Sequence, residues 1–164
     1  MALTKALRRK TLPGSITKGK ASAAGYLGGI AVATYLDAKI VSDNEFNHDL
    51  IMQDGRTCEV KTKRRTVPPI GTYEVSVASA SRHQSPDLYA FVSLHFKRSV
   101  KVNNSITYRG LEAVWLLGYK EPRDYFRESR VWRKGDIDSG NGFISHVEMH
   151  NLPIYKLTNW FSRF

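Results

Sequence analysis

The chain has 164 residues, 41% of them hydrophobic, and carries 25 lysines and arginines against 15 aspartates and glutamates, a formal charge of +10. That length suits one domain with one core, and the apolar content excludes a disordered chain. The basic excess points to a polyanionic partner, nucleic acid first. A single cysteine, Cys58, rules out an internal disulfide and agrees with a reducing, cytoplasmic setting. No run of 18 or more strongly apolar residues marks a membrane span, so no membrane partner is expected.

Residues 1–14 carry Lys5, Arg8, Arg9 and Lys10, end at Pro13-Gly14 and read as a basic, flexible arm; residues 15–164 read as the single domain. Lys18 and Lys20 extend the acid-free basic stretch. A helix is expected at about Lys20 to Leu36. Its glycines, Gly25, Gly28 and Gly29, each cost about 1 kcal/mol in a helix interior. They imply close approach, onto a sheet or onto a second subunit, and the first is the simpler reading. Asp43 and Glu45 fall in a polar loop.

Two short strand-like runs then flank an Asp54-Gly55 turn, a strong hairpin signal. A two-residue loop would set Asp49 opposite Val60. A three-residue loop, Gln53-Asp54-Gly55 with Gly55 left-handed, sets Met52 opposite Arg56 and Asp49 opposite Glu59. The second register sorts the side chains better. Leu50, Met52, Cys58 and Val60 share an apolar face; Asp49, Thr57, Glu59 and Lys61 share a polar one, and only Ile51 is misplaced. Opposed side chains lie about 5 Å apart at Cβ. Two carboxylates that close repel unless a cation sits between them. A divalent metal such as Mg²⁺ suits a few carboxylate oxygens, waters and a phosphate oxygen. Lys61, on the same face, is placed to orient a water or to neutralise phosphate charge. Cys58, on the apolar face, reads as packing.

Lys63, Arg64 and Arg65 follow directly and read as phosphate contacts. The turn-rich stretch 65–71 leads to a third strand, Tyr73 to Val77. Ser79 to Ser85 reads as a short helix or surface loop, with His83 and Gln84 as residues that either reach a substrate or decorate the loop. A fourth strand spans Leu88 to Phe96. Asn103-Asn104 turns a hairpin between Lys97–Val102 and Ser105–Arg109. Leu111 to Tyr119 reads as a buried strand carrying Trp115. Pro122 to Ser129 reads as a short helix, with the proline in its first turn. Gly135 to Gly142 reads as a polar loop. His146, Glu148 and His150 alternate on a candidate strand, a weak zinc pattern better explained as an exposed edge. Phe143, Tyr155, Trp160, Phe161 and Phe164 read as core and tail packing rather than base-stacking residues.

The Asp49, hairpin, Glu59-Val60-Lys61 arrangement resembles the PD-(D/E)XK nuclease superfamily. The order of elements, over about residues 15 to 120, is similar to that family's α-β-β-β-α-β core. The resemblance implies an α/β, restriction-endonuclease-like fold, with a central mixed sheet flanked by helices and a C-terminal extension. It implies a Mg²⁺- or Mn²⁺-dependent deoxyribonuclease acting on DNA phosphodiester bonds, in recombination, repair or phage DNA processing. Asp49 and Glu59 would ligate the metal with the backbone carbonyl of Val60, and Lys61 would position the water. Lys18, Lys20, Lys63, Arg64 and Arg65 would hold the nucleic acid. A homodimer is an open expectation, since paired cuts need paired sites. His48 stands where many members have proline. No acid precedes Asp37, so the first helix lacks the glutamate of resolvase-like members. That leaves a second reading, a catalytically inactive nucleic-acid-binding protein that keeps the fold.

Overall fold

A computed structural model of the chain describes residues 23–41, 47–103, 105–137 and 144–160. The basic arm, Lys18, Lys20, Asp43, Glu45, Phe143, Phe161 and Phe164 lie outside the described residues. The chain runs α1 (Ala23–Leu36), β1 (Lys39–Ile40), β2 (Leu50–Ile51), β3 (Thr57–Arg65), β4 (Glu74–Ala78), a 3₁₀ turn (Ser79–His83), β5 (Leu88–Val102), β6 (Ser105–Lys120), α2 (Pro122–Glu128), β7 (Arg130–Trp132) and β8 (Met149–Pro153). It is an α/β fold with a mixed central sheet and, among the described residues, two helices. No helix among the described residues is long and apolar enough to cross a membrane.

The five-stranded sheet has the order β1-β2-β3-β5-β6, with β3 and β5 parallel and the other pairs antiparallel. β5 explains itself from sequence. Its run Leu88 to Leu94 is unbroken by charge because both faces are covered, as strands of parallel pairs usually are. Leu88, Ala90, Val92 and Leu94 join Leu50, Cys58 and Val60 against Ala24, Val32 and Ala33 of α1. Tyr89 and Phe91 face the other way, onto Val75, Val77, Leu152 and Tyr125. Phe91 and Tyr125 stack with ring centroids 5.3 Å apart. The Tyr125 hydroxyl donates to the His150 carbonyl at 2.6 Å, which ties α2 to β8.

The helix glycines act within the chain. A Cβ on Gly28 would collide with the Thr62 side chain of β3, so α1 lies closer to the sheet than alanine would allow. The third strand, expected at Tyr73 to Val77, forms as β4 but belongs to a second sheet of order β4-β8-β7. This sheet covers the face of β5 opposite α1. The expected short helix before the fourth strand is the 3₁₀ turn.

Three readings need correction. Leu111 to Tyr119 is a strand, but Leu111, Val114 and Trp115 are exposed. β6 is the sheet edge and nothing among the described residues covers that stretch. His146 and Glu148 precede β8 and are exposed, whereas His150 is buried on it with Nδ1 3.0 Å from Ser129 Oγ. The three do not converge. The fourth strand also runs past Phe96 to Val102, where the turn begins at Asn103 in the left-handed region (φ 45°).

Candidate active site

The hairpin adopts the three-residue loop. Leu50 pairs with Cys58 and Ile51 with Thr57. The Met52 N–H donates to the Arg56 carbonyl at 2.8 Å, and Gly55 takes φ 85°. That register brings Asp49 beside Glu59. Asp49 Oδ2 accepts the Val60 N–H at 2.9 Å. Ile51, the misfit of the pattern, is exposed.

Glu59 and Lys61 leave β3 on the face turned away from α1. Lys61 Nζ donates to Glu59 Oε1 at 2.8 Å and to Gln84 Oε1 at 3.1 Å. Gln84 Nε2 donates to the same Glu59 oxygen at 3.2 Å. Lys61 Nζ also lies 5.7 Å from the centre of the Tyr89 ring. The Tyr89 hydroxyl is buried without a hydrogen-bond partner among the described residues. Burial first, and the charge of Asp49 second, push the Glu59 carboxyl up to about 7, against the pull of Lys61 and Gln84. Burial pushes the Cys58 thiol up to about 12, which fits a core side chain and not a nucleophile.

These residues fit a small divalent cation. The repulsion between Asp49 and Glu59 is what a cation between them would relieve. N–H and C=O of one residue leave a strand on the same side. The Val60 N–H leaves β3 toward Asp49, so the Val60 carbonyl leaves by the same edge of the strand, beyond the end of β2. Two carboxylates and a carbonyl are the hard oxygen donors that Mg²⁺ or Mn²⁺ takes, with water and substrate completing the shell. Among the described residues no group of three or more His, Cys, Asp or Glu comes together, and this site itself brings only two such side chains, Asp49 and Glu59. Beside Lys61 lies a pocket of about 140 Å³, also lined by Lys63, Val75, Ser76 and Phe91.

The basic run divides. Lys63 Nζ and Arg65 both donate to the Glu74 carbonyl at 2.9 Å, and Arg65 lies over the Tyr73 ring. Burial lowers the Arg65 pKa. Arg64 is exposed and lies over the Tyr108 ring at 4.7 Å. Strand alternation therefore sends Lys63 and Arg65 one way and Arg64 the other.

Two residues matter more than their sequence positions suggest. Gln84, read as loop decoration or substrate contact, holds the Glu59–Lys61 pair. Asp87 accepts both the N–H and the hydroxyl of Thr57 at 2.8 Å, which fixes the start of β3 against the start of β5. The only sequence hint of either was its place just before a strongly buried strand. No protein-family model matches the chain, and no curated protein matches it.

Proposed function

We propose that the chain is a Mg²⁺- or Mn²⁺-dependent deoxyribonuclease of the PD-(D/E)XK kind, with a restriction-endonuclease-like arrangement. The observation that carries this reading is the meeting of Asp49, Glu59 and Lys61 beside the end of β2, with Asp49 bonded to the Val60 N–H. Asp49 and Glu59 would hold the metal with the Val60 carbonyl. When bound, the metal lowers the pKa of a water and shields charge on the phosphate. Lys61, anchored between Glu59 and Gln84, orients the attacking water and offers positive charge to a phosphoryl oxygen. The water would give up a proton to solvent as its oxygen bonds to phosphorus, and one ester P–O bond would break, its oxygen leaving on the nucleotide and taking a proton from solvent. The surrounding apolar layers limit bulk water and strengthen these interactions. The balance of charge, with Lys5, Arg8, Arg9, Lys10, Lys18 and Lys20 preceding α1, supports a nucleic acid as partner.

One observation favours a second reading. The Glu59–Lys61–Gln84 cluster is closed by its own hydrogen bonds, as it would be in a non-catalytic nucleic-acid-binding protein of the same fold. Labelled linear, nicked, flap and four-way-junction DNAs, incubated with Mg²⁺, Mn²⁺ or EDTA, separate the two. The nuclease cuts at least one of these with metal, and Lys61→Ala and Glu59→Ala abolish cutting. Binding without cutting under every metal, unchanged in both variants, would leave only the second reading.

A further inference from the structure

Beyond Arg65 and its partner His95, β3 has ended and β5 continues with β6 alone. From Phe96 to Val102, and back from Ser105 to Leu111, the sheet is a two-stranded ribbon. Such ribbons are marginal by themselves. This one has a stiff root, where Tyr108 packs on Phe96 with ring centroids 5.4 Å apart and Arg64 lies over the Tyr108 ring. Beyond the root it buries little. Val100, Val102 and Ile106 are exposed.

The ribbon's charge is one-sided. Between Phe96 and Leu111 stand Lys97, Arg98, Lys101 and Arg109, and no acid. All four are exposed. None forms an ion pair among the described residues. Self-pairing of two copies through this ribbon would bring like charges together. A polyanion is the complementary occupant.

We propose that the β5–β6 ribbon is a DNA-gripping arm that enters the major groove of the duplex flanking the cleaved phosphate. The inference rests on the nuclease reading for the position of that phosphate, but not for binding itself. The B-form major groove, about 12 Å wide and 8.5 Å deep, admits a two-stranded ribbon. Six residue steps from Phe96 to Val102 span roughly 20 Å at about 3.3 Å each, enough to reach the groove floor. The exposed Val100, Val102 and Ile106 supply apolar contact to base edges, and the four cations supply phosphate contact. Parallel pairing sets Lys61 beside Phe91. Lys97 and Lys101 lie about 20 and 33 Å further along β5. The arm therefore meets duplex within about ten base pairs of the cut, at about 3.4 Å per pair, and nearer as the ribbon turns into the groove.

The test is binding of a fluorescent 30-base-pair DNA duplex in EDTA, by anisotropy over a salt series. It compares wild type with Lys97→Ala/Arg98→Ala/Lys101→Ala/Arg109→Ala. A second variant, Arg123→Ala/Arg133→Ala/Lys134→Ala/Lys156→Ala, removes as much charge from exposed positions elsewhere. Each released counterion adds about 0.9 to the slope of log K against log salt. The arm variant should lose about 3 to 4 from that slope, and the second variant much less. Circular dichroism melts establish that both variants are folded. Equal slopes in the two variants, an arm variant that binds like wild type, or equal affinity for an RNA duplex would each overturn the arm. Because no cleavage is read, loss of the nuclease reading, seen as uncut DNA in the metal series, leaves this result standing separately.

Discussion

Asp49 accepts the Val60 N–H through Oδ2 at 2.9 Å, so the first acid of the motif is bonded to the backbone between the second acid and the lysine. One carboxylate oxygen thus holds the strand geometry, and the other would meet the cation of the proposed site. The two roles separate by substitution. Asp49→Asn keeps an acceptor for Val60 and removes the charge; Asp49→Ala removes both. In EDTA, Asp49→Ala should be less stable than wild type by about 1–3 kcal/mol, the cost of stranding a partly buried N–H. Asp49→Asn should stay within about 1 kcal/mol of wild type. Both should bind Mn²⁺ at least tenfold more weakly. Urea unfolding and Mn²⁺ titration read the two quantities, and equal destabilisation of both variants would refute the division of labour.

Gln84 bridges Glu59 and Lys61 from the segment that follows the 3₁₀ turn. It touches the two motif residues rather than the phosphate, so it acts as a positioning residue. Gln84→Ala should lower single-turnover cleavage by roughly 10- to 100-fold, the usual cost of losing a supporting hydrogen bond at a metal site. DNA affinity in EDTA should be unchanged. Gln84→Glu should shift the pH dependence of cleavage, because it adds a second acid beside Lys61. A variant with full activity at every pH would show that the bridge is structural only.

Glu59 gives a pH signature without any metal. Burial and Asp49 hold its carboxyl at about 7 in the folded chain, against 4.5 as the ordinary value. The folded state therefore binds this proton more tightly than the unfolded state. The contribution to stability is fully present below about 4.5 and is lost as pH rises through about 7. Glu59→Gln cannot ionise and escapes that loss. In EDTA, the stability of wild type minus that of Glu59→Gln should fall by up to about 3 kcal/mol between pH 4 and pH 8. Thermal melts across that range measure it. A difference that stays flat, or that moves toward wild type with rising pH, contradicts the assignment.

What could be read from the sequence was what local physics controls. The hairpin register followed from a glycine able to take φ 85° and from alternation that left only Ile51 out of place. Leu88 to Leu94 was legible as a strand because both of its faces are buried. Gln84 was not, since it reaches Glu59 only through the pairing of β3 with β5, a contact between distant parts of the chain. Trp115 was misjudged because apolar composition does not tell an edge strand from a central one. The Lys63-Arg64-Arg65 run reads as one patch by composition, although period-two alternation already divides it. The second sheet, which joins β4 to residues near the C-terminus, had no local signal at all.

Gly28 and Gly29 sit side by side in α1 and should respond to alanine with opposite signs. A Cβ at Gly28 would overlap the Thr62 side chain, whose hydroxyl is buried without a partner among the described residues. Either Thr62 or the helix would have to shift, and Thr62 stands on β3, the strand that carries Glu59 and Lys61. Overpacking of this kind costs about 1–3 kcal/mol, more than the gain of about 1 kcal/mol from helix propensity. At Gly29 an added Cβ meets nothing within 4 Å. There only the propensity gain remains, and Gly29→Ala should stabilise by about 0.5–1 kcal/mol. Urea denaturation of the two single variants tests the pair. Gly28→Ala should also lose cleavage beyond what its stability explains, because a shift of Thr62 or α1 disturbs β3 under the site. If both alanines stabilise equally, α1 does not press on Thr62 and the close approach is not what the glycines are for.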